Sequence, residues 1–419
     1  MFLSRTTAAR GLLRQRPPCG AFTRRRGMAS APAPPQFTTN PSGAAFKKLG
    51  SQMKRAAKIS GITVASLTLA TAIAWQSYHL YIEHYLQETP SELTYTARNL
   101  LHGAYIREHV SPDYEMAAMY VREVLRIALE EQHLDEHSDV VIRLRLRLAE
   151  DENRAGNVLD SITEYTRAWM LLSSQSTNQD DDDEIKMTTA KQIGDLYLRI
   201  GDYSGAEEFL AWAFHKAQQQ QQQKVDPFLR VTITCSLASL YAMQHEFKLA
   251  MPLLLSALKQ IPEEEDSSSS QWTCMKGIIQ NQLSECMYGM GKSEEALGWA
   301  QASLESCTKG ETMDKDDKPN RDCQECGGVV SNNLGMMLEL KGEFDDAVRY
   351  YQQAVNFAAS AADLAGQDQY SMNAARLKEQ IQNQRNAGVT VASDITAAIE
   401  PEPTKKPASF SAWMSKLWK

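Results

Sequence analysis

One position in this chain recurs as a small residue behind a large one: Leu148-Ala149, Ile193-Gly194, Leu237-Ala238, Leu283-Ser284 and Leu334-Gly335. The small residues lie 45, 44, 46 and 51 apart. A stack of similar units requires such regularity, whereas a chain wound around one central core does not. Further residues follow the pairs in step. The fullest copies continue as Tyr197, Gly201, Ala206, Leu210, Ala213 and as Gly342, Ala347, Tyr351, Ala354, with Tyr241, Ala250, Leu254, Ala257 and Pro262 in the copy between them. Weaker copies hold Gly156, Tyr165 and Ala168, then Gly291, Ala296 and Ser303, and a degenerate first copy holds Ala117, Val121 and Val124. Apolar spacing beyond residue 90 is helical, with Gly and Pro scarce inside the periodic segments, so each unit is expected to be a helical hairpin.

This pattern resembles the tetratricopeptide repeat. The resemblance implies an all-α, superhelical solenoid over residues 90–361. Small residues such as Gly194, Ala206 and Ala213 would let two helices approach, while Tyr197 and Leu210 would fill the space to the next hairpin. A right-handed superhelix with a concave face is expected, ended by a polar capping helix at 362–386. The period exceeds the usual ~34 residues. The surplus sits at 180–183, 218–223, 263–270 and 309–322, where acidic, Gln, Ser and charged runs read as solvated loops or helix extensions.

Charge is divided along the chain. Of 44 Lys and Arg, twelve precede Glu83, the first acid, so 32 remain to face all 52 acids. That acidic body has no surplus of cations for phosphates, which excludes nucleic acid as a partner. Residues 1–30, rich in Arg, Ser, Thr and Ala and free of acids, have the composition of a mitochondrial transit peptide. Residues 31–58 are expected to be a basic, Pro/Ala-rich linker. Residues 59–82 contain no Asp, Glu, Lys or Arg, and as a helix of roughly 36 Å they would cross a bilayer of about 30 Å. The alternative for this segment is a buried amphipathic helix. Hydroxyls from Ser60 to Thr71 can bond back to helix carbonyls, and Trp75, Tyr78 and Tyr81 suit an interface. Lys47, Lys48, Lys54, Arg55 and Lys58 before the span, with Glu83, Glu88 and Glu92 after it, place the N-terminus in the matrix and the repeats in the intermembrane space.

No Gly-rich phosphate loop, His-Glu-x-x-His pair or nucleophile elbow occurs, so no catalytic residue, cofactor or metal is assigned. His79, His84, His102, His109, His133 and His137 read as surface or interface groups. Among seven cysteines, Cys323 and Cys326 have the spacing of a dithiol, and free thiols or a local disulfide between them rank ahead of metal. If the concave face binds, the register nominates Arg143, Lys191, Asp195, Asn281, Tyr288 and Asn332 as its client-binding groove. After a linker at 387–408, residues 409–419 place Phe410, Trp413, Met414, Leu417 and Trp418 on one helical face beside lysines. That face suits a membrane or partner contact, or a fold back onto the solenoid as a cap.

Presequence, single span and stretched repeats together resemble the tetratricopeptide adaptor subunit of the mitochondrial inner-membrane i-AAA protease supercomplex. The basic run before Ile59, Tyr114-Glu-Met-Ala117, the repeat from Ile142 to Tyr165, and Asn333-Leu-Gly-Met-Met with Gly342-Glu-Phe-Asp-Asp-Ala347 carry it. The resemblance implies an anchored adaptor that delivers unfolded or misfolded clients to the protease, alongside other adaptor subunits. Two readings share the architecture: an inner-membrane factor that assists respiratory complex III, and an outer-membrane import receptor. The receptor's carboxylate clamp resembles paired Lys and Asn, whereas this chain has Leu146 and Glu150, Lys191 and Asp195, and Cys235 and Ser239 at those places.

Overall fold

A computed structural model describes residues 41–174, 180–219, 225–262, 269–311 and 320–386. The expected transit peptide, the start of the basic linker, most of the Gln and Ser runs, and the C-terminal linker with Phe410, Trp413, Leu417 and Trp418 lie outside the described residues. The chain divides into two compact units between Gln76 and Ser77.

The first unit is dominated by α1 (Pro41–Tyr81). Residues 41–58, expected as linker, are helical. The run from Ser42 to Tyr81 contains no Pro, so no missing N–H interrupts the helix. Ile62, Leu67, Leu69, Ile73 and Trp75 are exposed along it, and the helix is long and apolar enough to cross a membrane once. Its hydroxyls turn inward. Thr63 Oγ1 donates to the Ile59 carbonyl at 2.9 Å, Thr68 Oγ1 to Val64 at 2.9 Å and Thr71 Oγ1 to Leu67 at 2.8 Å, which lowers the cost of carrying them in an apolar helix.

The second unit is a solenoid of helical hairpins, with no strand among the described residues. After α1 and a short π-helical turn come α2 (Tyr95–His109) paired with α3 (Tyr114–Arg126), α4 (Asp139–Ala155) with α5 (Val158–Ser174), and α6 (Asp180–Ile200) with α7 (Tyr203–Gln219). Next are α8 (Pro227–Met243) with α9 (Phe247–Lys259), α10 (Ser270–Gly289) with α11 (Ser293–Glu311), and α12 (Arg321–Lys341) with α13 (Phe344–Ser360). Helix α14 (Leu364–Asn386) follows the last hairpin. The surplus residues of the long period partly lengthen α6, α10 and α12 to 21, 20 and 21 residues.

Each apolar core is shared by neighbouring hairpins. Ala149, Ile162, Tyr165, Ile193 and Leu196 form one between α4, α5 and α6, and Val231, Leu254, Ile279 and Leu283 form another between α8, α9 and α10. No hairpin completes its core alone, as repeat stacking demands. The small position on each first helix meets its own second helix. A Cβ on Gly335 would come 2.8 Å from the Tyr351 ring. Ser284 Oγ donates to the Ala296 carbonyl and Ser161 Oγ to the Ala149 carbonyl, each at 2.7 Å. Inside four hairpins the turn is made by a glycine in the left-handed region, Gly156, Gly201, Gly291 and Gly342, and His245 takes that conformation in the α8–α9 turn. Helix α14 buries Tyr370, Ala374 and Leu377 against the last hairpin, while Arg376 donates twice to Glu339 at 2.7 Å. It is a polar-faced cap, as solenoid ends require.

Two further expectations are corrected. Cys323 and Cys326 are not bonded to each other. Three residues apart on α12, they face different neighbours: Cys323 is joined to Cys274 of α10, with 4.9 Å between the Cα atoms, whereas Cys326 is a buried free thiol hydrogen-bonded to Cys307 of α11. Glycines make the room. Gly310 lies against Cys323 and Cys274, and a Cβ on Gly277 would come 2.6 Å from Cys307 Sγ. His79 and His102 are not surface groups. Both are buried, their Nδ1 atoms are 2.8 Å apart, and His102 Nε2 reaches Glu83 Oε2 at 2.7 Å.

Candidate functional site

The first helices of the first three hairpins stand side by side and leave a cleft of about 1210 Å³. Its walls follow from helical periodicity. On α4, Val140, Arg143, Leu144, Arg147, Asp151 and Arg154 recur at three- and four-residue steps and share the cleft face. Helix α6 supplies Glu184, Ile185, Thr188 and Lys191, and α2 supplies Leu101 and Glu108. The far face of α4 goes into a core, as Ala149 does, while Leu101 and Leu144 lie at the edge where cleft and core meet.

Charge in the cleft is paired in layers. Near its middle Arg147 grips Glu108 in a two-point bond, Nε to Oε1 at 2.8 Å and Nη2 to Oε2 at 3.0 Å, which ties α4 to α2 with fixed geometry. Asp151, one turn along α4, is 3% exposed. Burial and the Glu108 carboxylate beside it push its carboxyl well above the usual range, with Arg147 opposing. Arg154 pairs with Glu150 and lies 5.4 Å over the Tyr114 ring. Arg143 is exposed at the rim and bonded to Asp139 at 2.9 Å.

Of the six residues nominated from the register, the structure brings Arg143 and Lys191 to this cleft. Lys191 is largely buried and bonded to Asp195 at 2.7 Å. Asp195 is withdrawn beneath it, its carboxyl raised by burial against the pull of Lys191. It is a structural partner rather than a groove residue. Asn281, Tyr288 and Asn332 belong to later hairpins. Asn281 is buried and donates to Glu285 at 2.9 Å, so it too is corrected to a structural role. Asn332 accepts from Asn373 of α14 at 2.9 Å, and Tyr288 is half-buried, its hydroxyl raised by burial. Glu108, Arg147 and Asp151 escaped sequence reading because the clamp register singles out Leu146 and Glu150, which also line the cleft, and does not say which of their neighbours meets α2. The signal was present in the four-residue spacing of Arg147 and Asp151. Among the described residues no cluster of three or more His, Cys, Asp or Glu is arranged to hold a metal ion.

Comparison with known proteins gives the following. No curated protein matches the chain. Solved structures with similar arrays include a Rap protein complexed with competence and sporulation factor, at 13% identity over 76% of this chain and 87% of that one, with a TM-score of 0.48. The quorum sensor NprR from B. thuringiensis is 13% identical over 62% and 65%, with a TM-score of 0.46. Aspartyl phosphate phosphatase F from Bacillus subtilis is 11% identical over 71% and 72%, with a TM-score of 0.44. The tetratricopeptide repeat model matches residues 331–358, which lie in the α12–α13 hairpin. The second unit is thus a solenoid of helical hairpins, of which the α12–α13 hairpin matches the tetratricopeptide repeat.

Proposed function

We propose that this chain is a membrane-anchored adaptor that takes extended segments of unfolded or misfolded client proteins into the cleft between α2, α4 and α6 and delivers them to the i-AAA protease of the mitochondrial inner membrane. The observation that carries the binding half is the cleft itself: about 1210 Å³ walled by charged, polar and apolar side chains of α2, α4 and α6. A peptide laid along such a groove finds side-chain partners at regular intervals. Helix α1 supports the anchor. The acid-free, Arg-rich first 30 residues and the basic run from Lys47 to Lys58 support a mitochondrial address, with the N-terminus in the matrix and the solenoid in the intermembrane space. The protease rests on the family resemblance.

Two measurements test this reading. A photocrosslinking amino acid at Thr188, exposed in the cleft, is expected to capture clients, and one at Met170, exposed on α5, is not; equal capture at both would remove the cleft from the reading. Native purification from detergent-solubilised mitochondria is expected to enrich the i-AAA protease over a control that keeps the span and lacks the repeats. Enrichment of respiratory complex III without the protease would overturn the delivery role.

A further inference from the structure

Resting on the reading of the cleft as a peptide groove, we propose that Glu108 and Asp151 form a subsite for one cationic side chain, Lys or Arg, of the bound segment. The site has two carboxyl groups and one cation. Arg147 spends Nε and Nη2 on the two oxygens of Glu108, so Asp151 receives no comparable bond. Asp151 lines the cleft, is 3% exposed, shares a side-chain hydrogen bond with Glu108, and its Oδ2 accepts from no donor. A buried carboxylate left unpaired is strongly disfavoured, and so is a buried carboxyl oxygen with no donor.

The surroundings do not supply the missing charge. From α2, Glu108 faces Asp151 with His109 beside it at 3.6 Å from the Glu108 carboxylate. From α4 come Arg147, engaged with Glu108, and Glu150, engaged with Arg154. Tyr165 of α5 completes the ring. The empty site therefore keeps a proton on Asp151. An ammonium or guanidinium entering from the cleft pairs with the Asp151 carboxylate in place of the hydrogen bond it shares with Glu108, and the proton leaves to solvent as the cation replaces it. A neutral side chain cannot make that exchange, and an acidic one adds a third carboxylate to the pair.

The test uses the full-length protein in detergent and fluorescence anisotropy with four pools of 12-residue peptides, capped at both ends. Seven positions are degenerate among uncharged residues, four are Gly or Ser, and one central position is Lys, Arg, norleucine or Glu. At pH 8 the Lys and Arg pools are expected to bind about tenfold more tightly than the norleucine pool, the worth of one hydrogen bond to a charged group. The ratio should shrink as pH falls to 6, because the proton then competes with the cation. Asp151→Asn should bring the Lys pool to the norleucine level, and Glu108→Gln should act in the same direction. Equal binding of the Lys and norleucine pools by the unsubstituted protein would overturn the subsite while leaving the groove in place. Absence of binding by every pool would overturn the groove, and the subsite with it.

Discussion

Gly194 of α6 lies directly against Leu210 of α7: a Cβ added to Gly194 would stand 2.5 Å from Leu210 Cγ and 2.7 Å from Cδ2. Leu210 is fully buried, and the atom met first is the branch point of its side chain, which has no free end to swing away. The pair sets how closely the two helices of this hairpin approach. Gly335 and Tyr351 repeat the relationship with the same separation along the chain, as do Ala149 with Tyr165 and Ala238 with Leu254.

One chemical change is therefore expected to have opposite signs at two glycines. Gly194→Ala should destabilise by about 1–3 kcal/mol, the usual result of overpacking a tight core. Gly298→Ala, in the exposed interior of α11 with nothing within 4 Å of the added carbon, should stabilise by about 0.5–1 kcal/mol through helix propensity. Urea denaturation followed by helical ellipticity measures both. Equal effects would mean that the close approach at Gly194 does not set the hairpin.

The bond between Cys274 and Cys323 ties α10 to α12 across 49 residues of sequence. Non-reducing peptide mapping should recover these two cysteines linked, and Cys307 and Cys326 alkylated only after unfolding, since both are buried. Cys323→Ser should lower stability by about 2–4 kcal/mol, as expected for opening a long cross-linked loop. A linked pair of Cys323 and Cys326 in the map would refute the pairing.

Much of the solenoid was legible because its rules are local. Gly194, Ala206, Leu210 and Ala213 carry their meaning in spacing alone, and the hairpins fall where the spacing put them. The cysteine pairing was not legible, because helical phase turns Cys323 and Cys326 toward different helices and only the stacking of α10, α11 and α12 says which thiol each one meets. The cleft was half legible. Helix register found Arg143 and Lys191, but whether a polar residue on a first helix meets solvent or a neighbour depends on the adjacent hairpin. Asp195 and Asn281 are absorbed by Lys191 and Glu285 in that way. Residues 41–58 misled through composition, since the Pro- and Ala-rich sequence before them reads on as linker, whereas the run from Ser42 holds no Pro to break a helix.

Glu285 should make stability depend on pH in the direction opposite to a surface carboxylate. Its Oε1 accepts from Asn281 of α10 and Asn333 of α12, each at 2.9 Å, and burial nevertheless raises its carboxyl to about 8. The unfolded chain loses this proton near 4.5, while the folded chain keeps it until about 8. Across that interval the folded state binds more protons, so stability falls as pH rises and levels off above pH 8. Glu285→Gln should match the parent near pH 4 and exceed it at pH 8 in urea denaturation. A difference between the two that does not change with pH would show that Glu285 is already ionised in the fold.

Gly342 tests the turn rather than the packing. Its φ of 87° lies in the left-handed region, and it ends α12 by donating to the Glu339 carbonyl at 3.0 Å. No atom lies within 4 Å of an added Cβ, so any loss in Gly342→Ala comes from backbone conformation alone, about 1–2 kcal/mol for a residue with a side chain. Gly342→Asn should lose less, because a short polar side chain tolerates this region. His245, at φ 63° in the equivalent turn of the α8–α9 hairpin, shows that the fold accepts a side chain there when neighbouring contacts hold it. Urea denaturation of the two Gly342 variants should rank them parent, Asn, Ala in falling stability. Ala equal to the parent would mean that the turn relaxes out of the left-handed region, and that glycine is not what shapes these hairpins.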